Sequence, residues 1–179
     1  MRVFPFVVLV AVLAACETGD ASEADSTPAA PASEVVTLEA LQSYFPDEVE
    51  GLPKAIEGGE VEGALGFEIT RATASYTENP RVMGTTLVLN ILDMGSPMMT
   101  ERMGYGWGLD GGTPDTTFAG YPATYSDPAE RGTRSVSIIV GERFLIESNG
   151  SFASVAIAES AIRGINLTAL EALAATPAE

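Results

Sequence analysis

Histidine is absent from this 179-residue chain, and cysteine, lysine and tryptophan occur once each, as Cys16, Lys54 and Trp107. Without histidine the chain cannot build a Ser-His or Cys-His nucleophile pair, nor the imidazole–thiolate sites that usually hold zinc. With a single sulfhydryl it can form no internal disulfide, so its fold must rest on its core. Bases are scarce too. Nine Lys and Arg stand against 25 Asp and Glu, giving a formal charge of −16. Such acidity repels nucleic-acid backbones and anionic lipid surfaces, which excludes nucleic acid as a partner.

A spanning helix is missing as well. The apolar run at residues 3–13 falls short of the ~20 residues that a bilayer requires. What remains is the layout of a secretory leader: Arg2 ahead of the run, then Leu13-Ala14-Ala15 before Cys16. Leu13-Ala14-Ala15-Cys16 resembles the lipobox of bacterial lipoproteins at every position. That resemblance implies cleavage after residue 15, with Cys16 carrying a diacylglyceryl group and becoming the first mature residue. The lone thiol is then an anchor, and the mature chain has no free sulfhydryl. One acyl chain, at ~0.8 kcal/mol per buried methylene, binds a membrane only marginally, whereas two or three hold it stably. The membrane is therefore an expected partner, through covalent lipid at Cys16. In enteric lipoproteins a residue other than aspartate after the cysteine, here Glu17, implies the outer membrane in preference to the inner.

Residues 17–34, ETGDASEADSTPAAPASE, hold no base, no aromatic and no branched aliphatic side chain. They cannot bury enough apolar surface to offset chain entropy, and read as a disordered acidic tether with a reach of about 25 Å. Loss of Arg2 with the leader takes the formal charge from −16 to −17. The expected organisation is a signal peptide at 1–15, a lipidated cysteine and tether at 16–34, and one domain at 35–179. That last span is long enough for a single core.

Within it, Thr37 is the expected N-cap of a helix with Leu38, Leu41 and Phe45 on one face, ended by Pro46. Residues 50–63, EGLPKAIEGGEVEG, are rich in glycine and acid and read as loop or irregular extended chain. Period-two alternation marks strands at FEITRATASY and VMGTTLVLNILDM, with Asn79-Pro80 between them. TTFAGYPATYSD reads as a third strand, placed at an edge by Pro122. RSVSIIV and RFLIESN flank Gly141-Glu142, a hairpin turn. SPMMTERMG carries helix start and stop signals in Ser96, Pro97 and Gly104. Val155, Ala158, Ala161, Ile162 and Ile165 form a helical stripe, and Asn166 caps a last short helix. The expectation is an α+β fold, a mostly antiparallel five-stranded sheet with helices packed on one face.

Three groups of residues are candidates for chemistry. Met94, Met98, Met99 and Met103 place thioethers close together, and soft sulfur ligands suit Cu(I); equally, methionine fills irregular gaps between a helix and a sheet. Asp110 to Asp115, DGGTPD, offers oxygen ligands to calcium but lacks the spacing of an EF-hand loop. Tyr105 and Trp107 lie between glycines, with Tyr121 and Tyr125 on the following strand; aromatics of this kind suit contact with a small ligand or an envelope protein. Paired-acid catalysis needs two carboxyls at a fixed separation, which acids this common do not specify. The chain is thus read as a non-enzymatic, lipid-anchored binding or interaction module of the cell envelope, needing no cofactor. The alternative is an envelope protein that handles Cu(I) or Ca.

Overall fold

The computed structural model describes residues 35–64, 67–78, 86–95, 116–126, 133–151 and 154–175. All belong to the second of two compact units, Pro31–Glu179. Three helices and eight strands are described: α1 (Leu38–Gln42), β1 (Glu48–Val49), β2 (Leu52–Ala64), β3 (Phe67–Thr77), β4 (Thr86–Asp93), β5 (Thr116–Phe118), β6 (Tyr121–Ser126), β7 (Arg134–Val140), β8 (Phe144–Ser151), α2 (Ala156–Arg163) and α3 (Leu167–Ala174).

The strands form one sheet in the order β1-β2-β3-β4-β8-β7-β6-β5. Every pairing is antiparallel. The sheet is therefore two four-stranded meanders, joined where β4 pairs with β8 from Thr86↔Ser151 to Asp93↔Phe144.

The expectation of five strands is corrected by this sheet of eight. Residues 50–63, read as loop, lie almost wholly in β2, which pairs with β3 from Lys54↔Tyr76 to Ala64↔Phe67. Glycine and acid lower strand propensity, but propensity yields to pairing with a strongly alternating neighbour. The short β1 folds back on the start of β2 through Glu50 and Gly51, both at positive φ. TTFAGYPATYSD is two strands, because Ala119 and Gly120 also take positive φ and make a two-residue hairpin turn between β5 and β6.

The turn at Gly141-Glu142 is present, with φ of 58° and 54°. Val140 pairs with Phe144, however, so the loop has three residues and Arg143 stands outside the β7–β8 pairing, while its carbonyl accepts from the Met94 amide next to β4.

One face of the sheet carries the main core. Ala72, Ala74 and Tyr76 of β3, Leu87, Leu89 and Ile91 of β4, Phe144 and Ile146 of β8, and Val136, Ile138 and Val140 of β7 meet Leu41, Ala158, Ala161, Ile162 and Leu170 of the helices. Each helix follows its local signals. The Thr37 side chain accepts from the amide of Ala40 at the start of α1, and Asn166 accepts from Ala169 at the start of α3. Ala158, Ala161, Ile162 and Ile165, four of the five stripe residues, are buried.

Helix α2 also reports the curvature of the sheet. Ser160 donates to Glu50 at one edge, while Arg163 lies 4.5 Å over the Phe118 ring at the other. Strands ~4.8 Å apart would set the edges of a flat eight-stranded sheet roughly 33 Å apart, whereas eight helical residues span about 12 Å. The sheet must curl around the helix. Among the described residues no helix packs on the other, outer face.

Candidate functional site

The outer face has two parts, set by alternation along the strands. Toward one end, Ile69, Leu92, Met94, Ile139 and Leu145 make a second, smaller buried apolar cluster. Beside it the side chains turn polar. The register aligns Thr73 with Asn90, Asn90 with Glu147, Glu147 with Ser137 and Ser137 with Thr124. One row of hydroxyl, amide and carboxyl groups thus crosses five strands. Thr73 Oγ1 donates to Asn90 Oδ1 at 2.8 Å.

Glu147 occupies the middle of this row. Its Oε1 is shut off from solvent and has no hydrogen-bond partner among the described residues. Burial raises the pKa of its carboxyl above the ordinary value, and the charge of Arg71 on β3 works in the opposite direction. Arg71 Nη1 lies 3.9 Å from Glu60 on β2. A half-buried carboxyl in a row with hydroxyls and an amide can accept from a donor or, once protonated, donate itself.

Tyr121 and Tyr125 lie on the opposite, helix-facing side of the sheet. The Tyr121 hydroxyl donates to Glu171 of α3 at 2.9 Å, and that of Tyr125 to Glu159 of α2 at 3.1 Å. Burial, and then the bonds to these carboxylates, raise both phenol pKa values. These two aromatics tie strand to helix, and do not share a surface with Glu147. Met94 is fully buried in the smaller apolar cluster, packed among aliphatic side chains. Cys16, Tyr105, Trp107, Met98, Met99, Met103 and residues 110–115 lie outside the described residues. Among the described residues no group of three or more Asp, Glu, His or Cys could hold a metal ion, and no helix is long and apolar enough to cross a membrane.

Sequence reasoning did not single out Glu147. Along its own strand it is one polar residue between Ile146 and Ser148, and only the cross-strand register brings Asn90 and Ser137 to its sides.

A second polar cluster lies at the end of β4. Asp93 is fully buried and receives Nε and Nη2 of Arg143, the amide of Gly95 at 2.9 Å and the amide of Val36 at 2.6 Å. Four donors on one carboxylate tie the approach to α1, the end of β4 and the β7–β8 turn together. Its lone pairs are filled, so it reads as a structural clamp. No family model, no curated protein and no solved structure matches the chain.

Proposed function

We propose that this chain is a lipid-anchored, non-enzymatic binding module of the bacterial cell envelope, taking a small hydrogen-bond-donating ligand at the outer-face row centred on Glu147. The anchoring half rests on Leu13-Ala14-Ala15-Cys16 and the acidic stretch that follows. The binding half rests on one observation: Glu147 Oε1 is buried without a partner. An unsatisfied buried polar group costs ~1–3 kcal/mol, which a ligand supplying a donor would recover. Asn90 and Ser137 flank Glu147 in the register and offer further polar groups, while the neighbouring apolar cluster suits a ligand with one greasy side. The absence of histidine and of a free thiol leaves the carboxyl without the usual catalytic companions, which favours binding over turnover.

The test is a thermal-shift panel of amines, amino acids, polyols and short amides, run on the wild type and on Glu147→Gln. At least one compound should stabilise the wild type and lose most of its effect on the variant. A panel that shifts neither protein, or both alike, refutes the site. Mass spectrometry of the amino-terminal peptide tests the anchor separately. Acylated Cys16 is the expected result, and a bare thiol refutes it.

A further inference from the structure

The two edges of the sheet are unlike. At one, β5 is three residues long; at the other, β1 pairs only with Leu52 and Pro53 of the thirteen-residue β2. Among the described residues, no strand pairs with residues 55–64 on the side away from β3. Natural sheets keep exposed edges short, because an open ladder accepts another strand.

The alternation of backbone bonds is fixed from within the sheet. The Met94 amide bonds the Arg143 carbonyl, so even-numbered residues of β4 face β8 and odd-numbered ones face β3. Through the unbroken β3–β4 register and the β2–β3 register after Ile56, Val61 and Gly63 turn their N–H and C=O groups outward.

Side chains along this edge give it a definite character. Ile56 is 64% exposed and Val61 55%, unusual for branched aliphatics. Glu60 and Glu62 project on one face and Val61 on the other. Lys54, the only lysine, is already engaged by Glu57 at 2.7 Å.

From this juxtaposition we infer that the free edge of β2 is a docking site for an extended, basic peptide segment of a partner protein, which adds as a ninth strand. The segment carries a basic–apolar–basic triplet: two Lys or Arg facing Glu60 and Glu62, with an apolar residue between them against Val61. Backbone bonds to Val61 and Gly63 supply affinity, and the alternating side chains supply selection. A second copy of this chain is disfavoured at the edge, since pairing β2 with itself would bring like-charged glutamates together. The site lies on a different element from Glu147 and does not depend on it.

A fluorescent ten-residue peptide alternating Arg and Val, titrated into the full chain in detergent micelles, tests this. Saturable binding is expected, with slowed hydrogen exchange at the Val61 and Gly63 amides. The double substitution Glu60→Lys/Glu62→Lys should weaken binding at least tenfold. Gly63→Pro, which keeps every charge but removes one outward donor, should also weaken it at least tenfold. An alternating Arg and Pro peptide, which cannot pair, should not bind. Equal binding of that peptide, or unchanged amide exchange at saturation, would reduce the effect to charge attraction and overturn the proposal. So would sedimentation of the free protein as a dimer with the same amides protected, which would make a second copy the occupant. The exchange measurement needs no variant, so a misfolded Gly63→Pro protein leaves the test intact.

Discussion

Arg143 meets Asp93 fork to fork, Nε on Oδ1 and Nη2 on Oδ2, both at 2.7 Å. The register explains how it gets there. Because Val140 pairs with Phe144, the residue after the positive-φ turn is left out of the β7–β8 pairing, and its side chain turns onto the end of β4. The Arg143 guanidinium also stacks 5.3 Å from the Phe144 ring.

Removing one member of this pair leaves the other charged and buried. Asp93→Asn is expected to cost ~3–5 kcal/mol, and Arg143→Met a similar amount. Asp93→Asn/Arg143→Met should cost less than the sum of the two, because neither charge is then stranded. Urea unfolding of the three variants at pH 7 measures the coupling. Strict additivity would mean that the pair does not act as a clamp.

Glu147 gives the protein a pH dependence of predictable sign. Its folded pKa is raised, so the native state binds more protons than the unfolded chain between the two values. Stability contributed by this group is full below the unfolded carboxyl pKa and falls as pH rises through the folded one. Glu147→Gln should flatten that fall and raise the midpoint at pH 7 by a few degrees. Thermal unfolding from pH 4 to pH 8 checks this; a wild-type curve that rises where the variant's is flat would contradict it.

Ser148 sits beside Glu147 on the other face, fully buried with its hydroxyl unpartnered. Ser148→Ala removes an unsatisfied polar group and little volume. A gain of ~1 kcal/mol is expected from denaturant unfolding. A loss would mean that the hydroxyl has a partner in solution.

Gly59 is where α1 comes down on the sheet. A β-carbon there would run into the Leu38 side chain and the Arg71 carbonyl oxygen. Gly59→Ala should destabilise by ~1–3 kcal/mol through overpacking. The Leu38 methyl resonances should move with it, and a silent substitution would place the helix farther from β2.

Elements with a strong local signature were legible in the sequence. The alternation of β3 and β4 and the caps at Thr37 and Asn166 are local facts about a few neighbouring residues, and the structure has them. β2 was not legible. An edge strand has no second neighbour to bury against, so Ile56 and Val61 could stay exposed and glycines could intervene without breaking the pairing. Two of the hairpin turns were missed because Glu50-Gly51 and Ala119-Gly120 lack the Asn or Asp that usually marks positive φ at the first position. The Glu147 row and the Asp93–Arg143 clamp depend on register between strands far apart in the chain. Tyr121 and Tyr125 stood out as aromatics, but composition alone could not say which side of the sheet they take.

The seam between β4 and β8 ties completion of the sheet to the last part of synthesis. The strand at the centre is the final one to be made, and it closes on a neighbour laid down some fifty residues earlier. A chain stopped before Phe144 would own two half-sheets with no common border, and would still lack α2 and α3, which follow β8. Growth from the amino terminus therefore cannot lock the domain early. Such dependence on distant pairing slows folding and leaves the polypeptide threadable until its carboxyl-terminal third has arrived.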